Sequence, residues 1–205
     1  MDFQQLFSRI LATVDEAAYF TPVEHVDASQ RAAASAIQEA MAADDFDADQ
    51  VRALIHRLAE RGHIDAVMKL SALHVVACHP AVADYEEAAR MVGEQEFAAL
   101  EKGGPNLQAN LASVDRHRGV LGFLKGHHEV ALDYFARALE RQRSAENVGN
   151  VLATLCAMGE LEEATALLTQ VRGAFPAALV QQLNDSITRD PDLAPLRSEA
   201  AHELH

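Results

Sequence analysis

One pattern occurs twice, 33 residues apart, and it constrains this chain more than any other feature. Gly126 opens a stretch with Ala131, Phe135 and Ala138, and Gly159 opens another with Ala164, Leu168 and Val171. The intervals agree: a glycine, a small residue five positions on, a large apolar residue four later, and another apolar residue three later. A fixed period in the thirties is expected of stacked helical hairpins. Glycine ends one helix in the left-handed conformation that a β-carbon disfavours. The chain then reverses. The small residue lets two helices approach closely, and the larger ones lie on the same face and fill the space between them.

Composition supports helix almost throughout. The chain has 205 residues, 49% of them hydrophobic and many of those alanine, with six prolines and ten glycines. Alanine and leucine are strong helix formers, and no β-branched run competes with them. The breaks predict helices over about 3–19, 29–43, 49–61, 64–78 and 84–102. Gly103-Gly104-Pro105 is the strongest interruption. Hairpins then follow over 107–125 with 127–143, and 145–158 with 160–172. Two further helices, 176–189 and 193–204, close the chain. Asp47 is placed to cap the third helix. The regions divide as 1–48, an acidic helical part; 49–102, degenerate repeats; 103–175, regular repeats; and 176–205, capping helices.

The stretch from about Leu111 to Arg172 resembles the tetratricopeptide repeat. Gly126, Ala131, Phe135 and Ala138 match the second half of that motif, and Gly119 matches the small residue of its first helix. The second copy matches with Gly159, Ala164, Leu168 and Val171. Departures fall in the first helix. Asp115 stands at the motif's tryptophan, Arg118 and Gly122 at its leucine and tyrosine, and Arg143 at its closing proline. The resemblance implies an all-α, right-handed superhelical array of antiparallel helix pairs. It also implies a concave groove lined by first helices. That places Ser113, Arg116, His117, Val120, Phe123 and Leu124 in the groove, followed by Asn150, Ala153 and Cys156 from the next pair. An Arg there suits a carboxylate of a partner.

Charge excludes some partners. The net charge is −14, which disfavours nucleic acid and anionic membrane surfaces. Residues 1–50 hold two arginines against ten acidic residues, whereas 101–150 hold seven basic against six acidic. No apolar run reaches the length of a membrane span, and the first residues lack the features of a signal peptide. Cys78 and Cys156 are far apart and form no disulfide framework, in keeping with a reducing, cytoplasmic setting.

No motif of catalysis stands out, and no cofactor or metal is expected. Asp45, Asp47 and Asp49 alternate as in a calcium loop, but Gln50 and His56 occupy the positions that need Gly and Glu. His74, Cys78 and His79 make an incomplete zinc set, as do Glu199, His202 and His205. Glu60 and His63 have a di-iron spacing interrupted by Gly62. The expected role is a protein-interaction module, a scaffold or adaptor binding a segment of another protein, with self-association compatible with such an array. The alternative is a secretion-type chaperone holding an aggregation-prone client.

Overall fold

The computed structural model describes residues 3–11 and 28–197. The fold is all-α: 82% of the described residues are helical, and no strand occurs among them. The α-helices are α1 (Phe3–Leu11), α2 (Ala28–Met41), α3 (Ala48–Glu60), α4 (Ala66–Cys78), α5 (Tyr85–Lys102), α6 (Leu107–Leu124), α7 (His128–Arg141), α8 (Ala145–Met158), α9 (Leu161–Ala174) and α10 (Ala177–Arg189). A 3₁₀ helix, Pro191–Leu196, follows. The predicted elements are recovered with ends shifted by a residue or two, with two differences. The first helix is described only to Leu11, and residues 12–27 of the expected stretch lie outside the described residues. Of the expected closing helix, residues 193–196 belong instead to the 3₁₀ helix, where Pro195 has no N–H to donate to an α-helical bond, and residues 198–204 lie outside the described residues. Glu199, His202 and His205 lie outside the described residues.

The chain forms two compact units. One spans Thr21–Leu121, and the other combines Met1–Phe20 with Gly122–His205. In the latter, α8 is the central element and packs on α7, α9, α10 and the 3₁₀ helix. Its Val148, Val151, Leu152 and Leu155 are all fully buried. Helix α1 packs on α7 and α9. It does so through Leu6, Phe7 and Ile10, whose spacing puts them on one face.

The repeated turns have the same hydrogen bonds. Gly126 N–H donates to Phe123 O at 2.9 Å, and His127 N–H donates to Gly122 O at 2.8 Å. At the second copy, Gly159 N–H donates to Cys156 O at 3.0 Å and Glu160 N–H to Leu155 O at 2.9 Å. Both glycines are left-handed, with φ of 73° and 81°. This is the Schellman arrangement, which satisfies the last carbonyls of the outgoing helix. All six residues at the matched intervals after the two glycines are buried. A third turn of this kind lies at Gly62, φ 73°, with bonds from Gly62 N–H to Ala59 O and from His63 N–H to Leu58 O.

The close approach expected at Ala131 is present. A β-carbon on Gly122 would lie 3.2 Å from Ala131 N and 3.3 Å from its Cα. At Gly122, where the resemblance would put a tyrosine, the Ala131 backbone fills the space a ring would need. Asn147 ties α8 to the end of α7: its Nδ2 donates to Gln142 O at 2.8 Å and to Ala138 O at 3.3 Å. Arg143, at the motif's proline position, is buried. It donates to Ile10 O at 3.0 Å and lies over the Phe175 ring.

The Thr21–Leu121 unit is built from α2–α5 and α6 up to Leu121. Its larger core groups Val51, Ile55, Ile64, Leu73, Val76 and Met91. A second cluster joins Ala77, Ala88 and Val92 to Val114 and Leu121 of α6. Asp47 caps α3 as expected, its Oδ1 accepting from Asp49 N at 2.9 Å and Gln50 N at 3.1 Å. Those bonds hold its carboxyl below the ordinary range. Ion pairs join the helices: Arg52 to Glu87 at 3.1 Å, and Arg118 to both carboxylate oxygens of Glu96.

Two substitutions separate backbone contact from helix propensity. Ala131→Leu forces side-chain volume against the Gly122 backbone and is expected to destabilise the protein by about 1–3 kcal/mol. Gly93→Ala, in α5 with nothing within 4 Å of the added carbon, is expected to stabilise by about 0.5–1 kcal/mol. Urea titration followed by circular dichroism measures both.

Candidate functional site

Helix α6 carries most of the residues expected to meet a partner, and the structure sorts them. Arg116, Val120 and Phe123 follow at intervals of four and three, on one face, and all are half-buried. Leu124, at the end of the helix, is 42% exposed. The Phe123 ring meets that of His128 edge-on, at 5.2 Å between centroids. On α8, Asn150 and Cys156 are half-buried and Ala153 is 9% exposed. His117 is enclosed, at 4% exposure, and presents no open surface. Its position on the helix faces inward, toward α4 and α5, which a resemblance carried by second helices does not specify.

His117 belongs to a buried polar chain. Its Nδ1 is 2.8 Å from Gln95 Oε1, and its Nε2 is 3.4 Å from Ser71 Oγ. An amide oxygen only accepts, so Nδ1 carries the proton and Nε2 accepts from the serine hydroxyl. Gln95 Nε2 in turn donates to Ser113 Oγ at 3.2 Å. The His117 ring stacks on that of His74, with centroids 4.2 Å apart. His74 Nδ1 donates to Ala88 O at 3.2 Å, leaving Nε2 to face the Cys78 thiol at 3.5 Å.

Both imidazoles are held neutral. Burial pushes His117 well below its ordinary range, and the neighbouring His74 and Arg116 push it further in the same direction. Burial also lowers His74, opposed by its bond to Ala88 and assisted by Arg116. Ser71, His117 and Gln95 stand in the order of nucleophile, base and orienter. Burial disfavours the imidazolium that proton abstraction from Ser71 would create.

Ser71, Gln95 and Ser113 also line a cleft of about 280 Å³, with Asn110 and apolar side chains from α2 and α4. Sequence reading missed this cleft and the Gln95–His117 bond. The one available signal was the presence of Gln95, Ser113 and His117 at helical spacings compatible with buried faces. Elsewhere, His79 stacks on Phe46 at 3.7 Å instead of joining His74 and Cys78. Among the described residues, no three His, Cys, Asp or Glu side chains are grouped to hold a metal ion. Nor is any helix among them long and apolar enough to cross a membrane.

Neutral buried histidines give a signed pH dependence. Their folded pKa lies below the unfolded value near 6.5, so above that pH neither state takes up a proton and stability is complete. As pH falls below about 6.5 the unfolded chain binds protons first, and stability declines until the folded pKa is reached. Equilibrium unfolding between about pH 7.5 and 5 is expected to show this loss. His117→Gln should reduce the slope in that window by up to about 1.4 kcal/mol per pH unit.

Comparison with protein-family models, with curated proteins and with solved structures finds no match to this chain.

Proposed function

We propose that the chain is a tetratricopeptide-like protein-interaction module, an array of stacked helical hairpins that binds a segment of another protein. The observation that carries this reading is the Schellman turn repeated at Gly126 and Gly159 with the same two hydrogen bonds. Each turn is followed by buried residues at the same intervals. Repetition of a hairpin serves stacking, and stacked hairpins present extended surfaces to partners. The contact strip is Arg116, Val120, Phe123 and Leu124 on α6. Arg116 supplies charge for an acidic side chain, and Phe123 supplies an aromatic anchor. His117 supports the strip from within. The module works as a cytoplasmic scaffold or adaptor and carries out no catalysis.

A chaperone reading has support of its own. Phe97 and Leu100, one turn apart on α5, are 70% and 57% exposed. Large apolar side chains in the open suit the capture of an unfolded client.

Affinity purification supplies the partner, and a double change then tests the strip. Arg116→Ala with Phe123→Ala is expected to weaken binding by more than about 2 kcal/mol while circular dichroism stays unchanged. Unaltered affinity in the folded double variant rejects the α6 strip. If Phe97→Ser instead abolishes protection of a client from aggregation, the chaperone reading replaces the adaptor.

A further inference from the structure

The cleft in the Thr21–Leu121 unit joins an apolar body to a polar wall in which two hydrogen-bond donors are unused. Ile37 of α2, Ile64, and Val67 and Met68 of α4 form the body, and Ser71, Gln95, Asn110 and Ser113 form the wall. Asn110 Nδ2 is buried and has no hydrogen-bond partner. Ser113 Oγ accepts twice, from Gln95 Nε2 at 3.2 Å and from Arg116 Nη2 at 3.4 Å. With both lone pairs engaged, what remains to it is its own proton. No acceptor for that proton occurs among the described residues. Asn110 and Ser113 are three apart on α6, so their donors face the same way.

The cleft has a traceable origin. Counted from Gly62, the intervals that give Phe135 and Leu168 after Gly126 and Gly159 arrive at Ser71, and those that give Ala138 and Val171 arrive at His74. Helix α4 starts two residues later after its glycine than α7 and α9 do after theirs. The ninth residue after Gly62 is nevertheless a small hydroxyl, where the ninth after Gly126 and Gly159 is a large apolar side chain. The missing volume is open, and one side of it is polar, lined by Ser71, Gln95, Asn110 and Ser113. A stacking repeat gains nothing from either change, because a buried donor without an acceptor is destabilising.

We propose that this cleft binds a small aliphatic monocarboxylate. Its chain lies among Ile37, Ile64, Val67 and Met68, and its carboxylate accepts from Asn110 Nδ2 and Ser113 Oγ. Two donors on one helix face suit the two oxygens of one carboxylate, and the Arg116 guanidinium against Ser113 adds local positive charge. The net charge of −14 opposes an anion at long range. Salt screens that repulsion beyond about 8–10 Å, whereas the donors act in contact. An engineered cavity of about 150 Å³ holds a benzene ring, so about 280 Å³ accommodates roughly eleven non-hydrogen atoms. Octanoate is of that size.

The test is isothermal titration calorimetry of the full chain with octanoate, 1-octanol and octylamine, with amide chemical shifts recorded in parallel. Octanoate is expected to saturate and to shift amides of α4 and α6 around Ser71, Asn110 and Ser113. The alcohol and the amine should bind at least about tenfold more weakly, the loss expected when charge-assisted bonds are removed. Asn110→Leu and Ser113→Ala should each weaken octanoate by about tenfold and leave the alcohol unchanged. Ala72→Phe, which fills the cleft, should abolish binding of all three. Circular dichroism of each variant reports whether it is folded, and the ligand comparison on the unaltered protein stands whether or not a variant folds. Equal affinity for the three ligands, absence of octanoate binding, or shifts confined to other helices would overturn the proposal. The ligand comparison is made on the unaltered protein with no partner present, so none of these results depends on the identity of a protein partner.

Discussion

The hairpins rest on a backbone constraint at three positions. Gly62, Gly126 and Gly159 each hold a positive φ and close a helix through two hydrogen bonds to its last carbonyls. A residue with a β-carbon would be strained there. The turn sets where the next helix begins, and that start determines which of its residues face the preceding helix. Ala131 and Phe135 are buried because of their distance from Gly126, and Ala164 and Leu168 because of theirs from Gly159. Close packing at Gly122 against the Ala131 backbone then becomes available without further adjustment.

The two units solve burial differently. In the unit built on α8 the interior is mostly apolar; Arg143, Asn147 and Thr154 are its buried polar residues, and Asn147 is spent on the carbonyls at the end of α7. In the Thr21–Leu121 unit the interior holds His74, Gln95 and His117. Such a chain is tolerable only when its members satisfy one another, and the directions of the bonds are consistent from Ser71 through to Ser113. Its end, where donors outnumber acceptors, is where the cleft opens. Surplus polarity and missing volume therefore fall at the same place.

Arg143 illustrates a role that a motif comparison misreads. At its position the tetratricopeptide pattern carries a proline that ends the second helix. Here the side chain is buried, donates to the carbonyl of Ile10 near the end of α1 and lies over Phe175. Residues 133 positions apart in sequence are thereby joined, and the N-terminal helix becomes part of a unit otherwise formed by the second half of the chain.

The amino-acid sequence by itself determined the helices, their breaks and the glycine turns, because these depend on local energetics: propensity, capping and the sign of φ. Asp47 as a cap and Ala131 as a point of close approach follow from the residues around them. The third turn at Gly62 was visible as a break but not as a repeat, since Val67, Ser71 and His74 do not carry the apolar pattern of the other two copies. Only the tertiary structure decided that His117 faces inward to Gln95, that Arg143 reaches Ile10, and that Ser71, Asn110 and Ser113 surround one cleft. Those residues come from separate helices. Which face of each helix meets which neighbour depends on packing between elements, and that information is spread over the whole chain rather than held in any one segment of it.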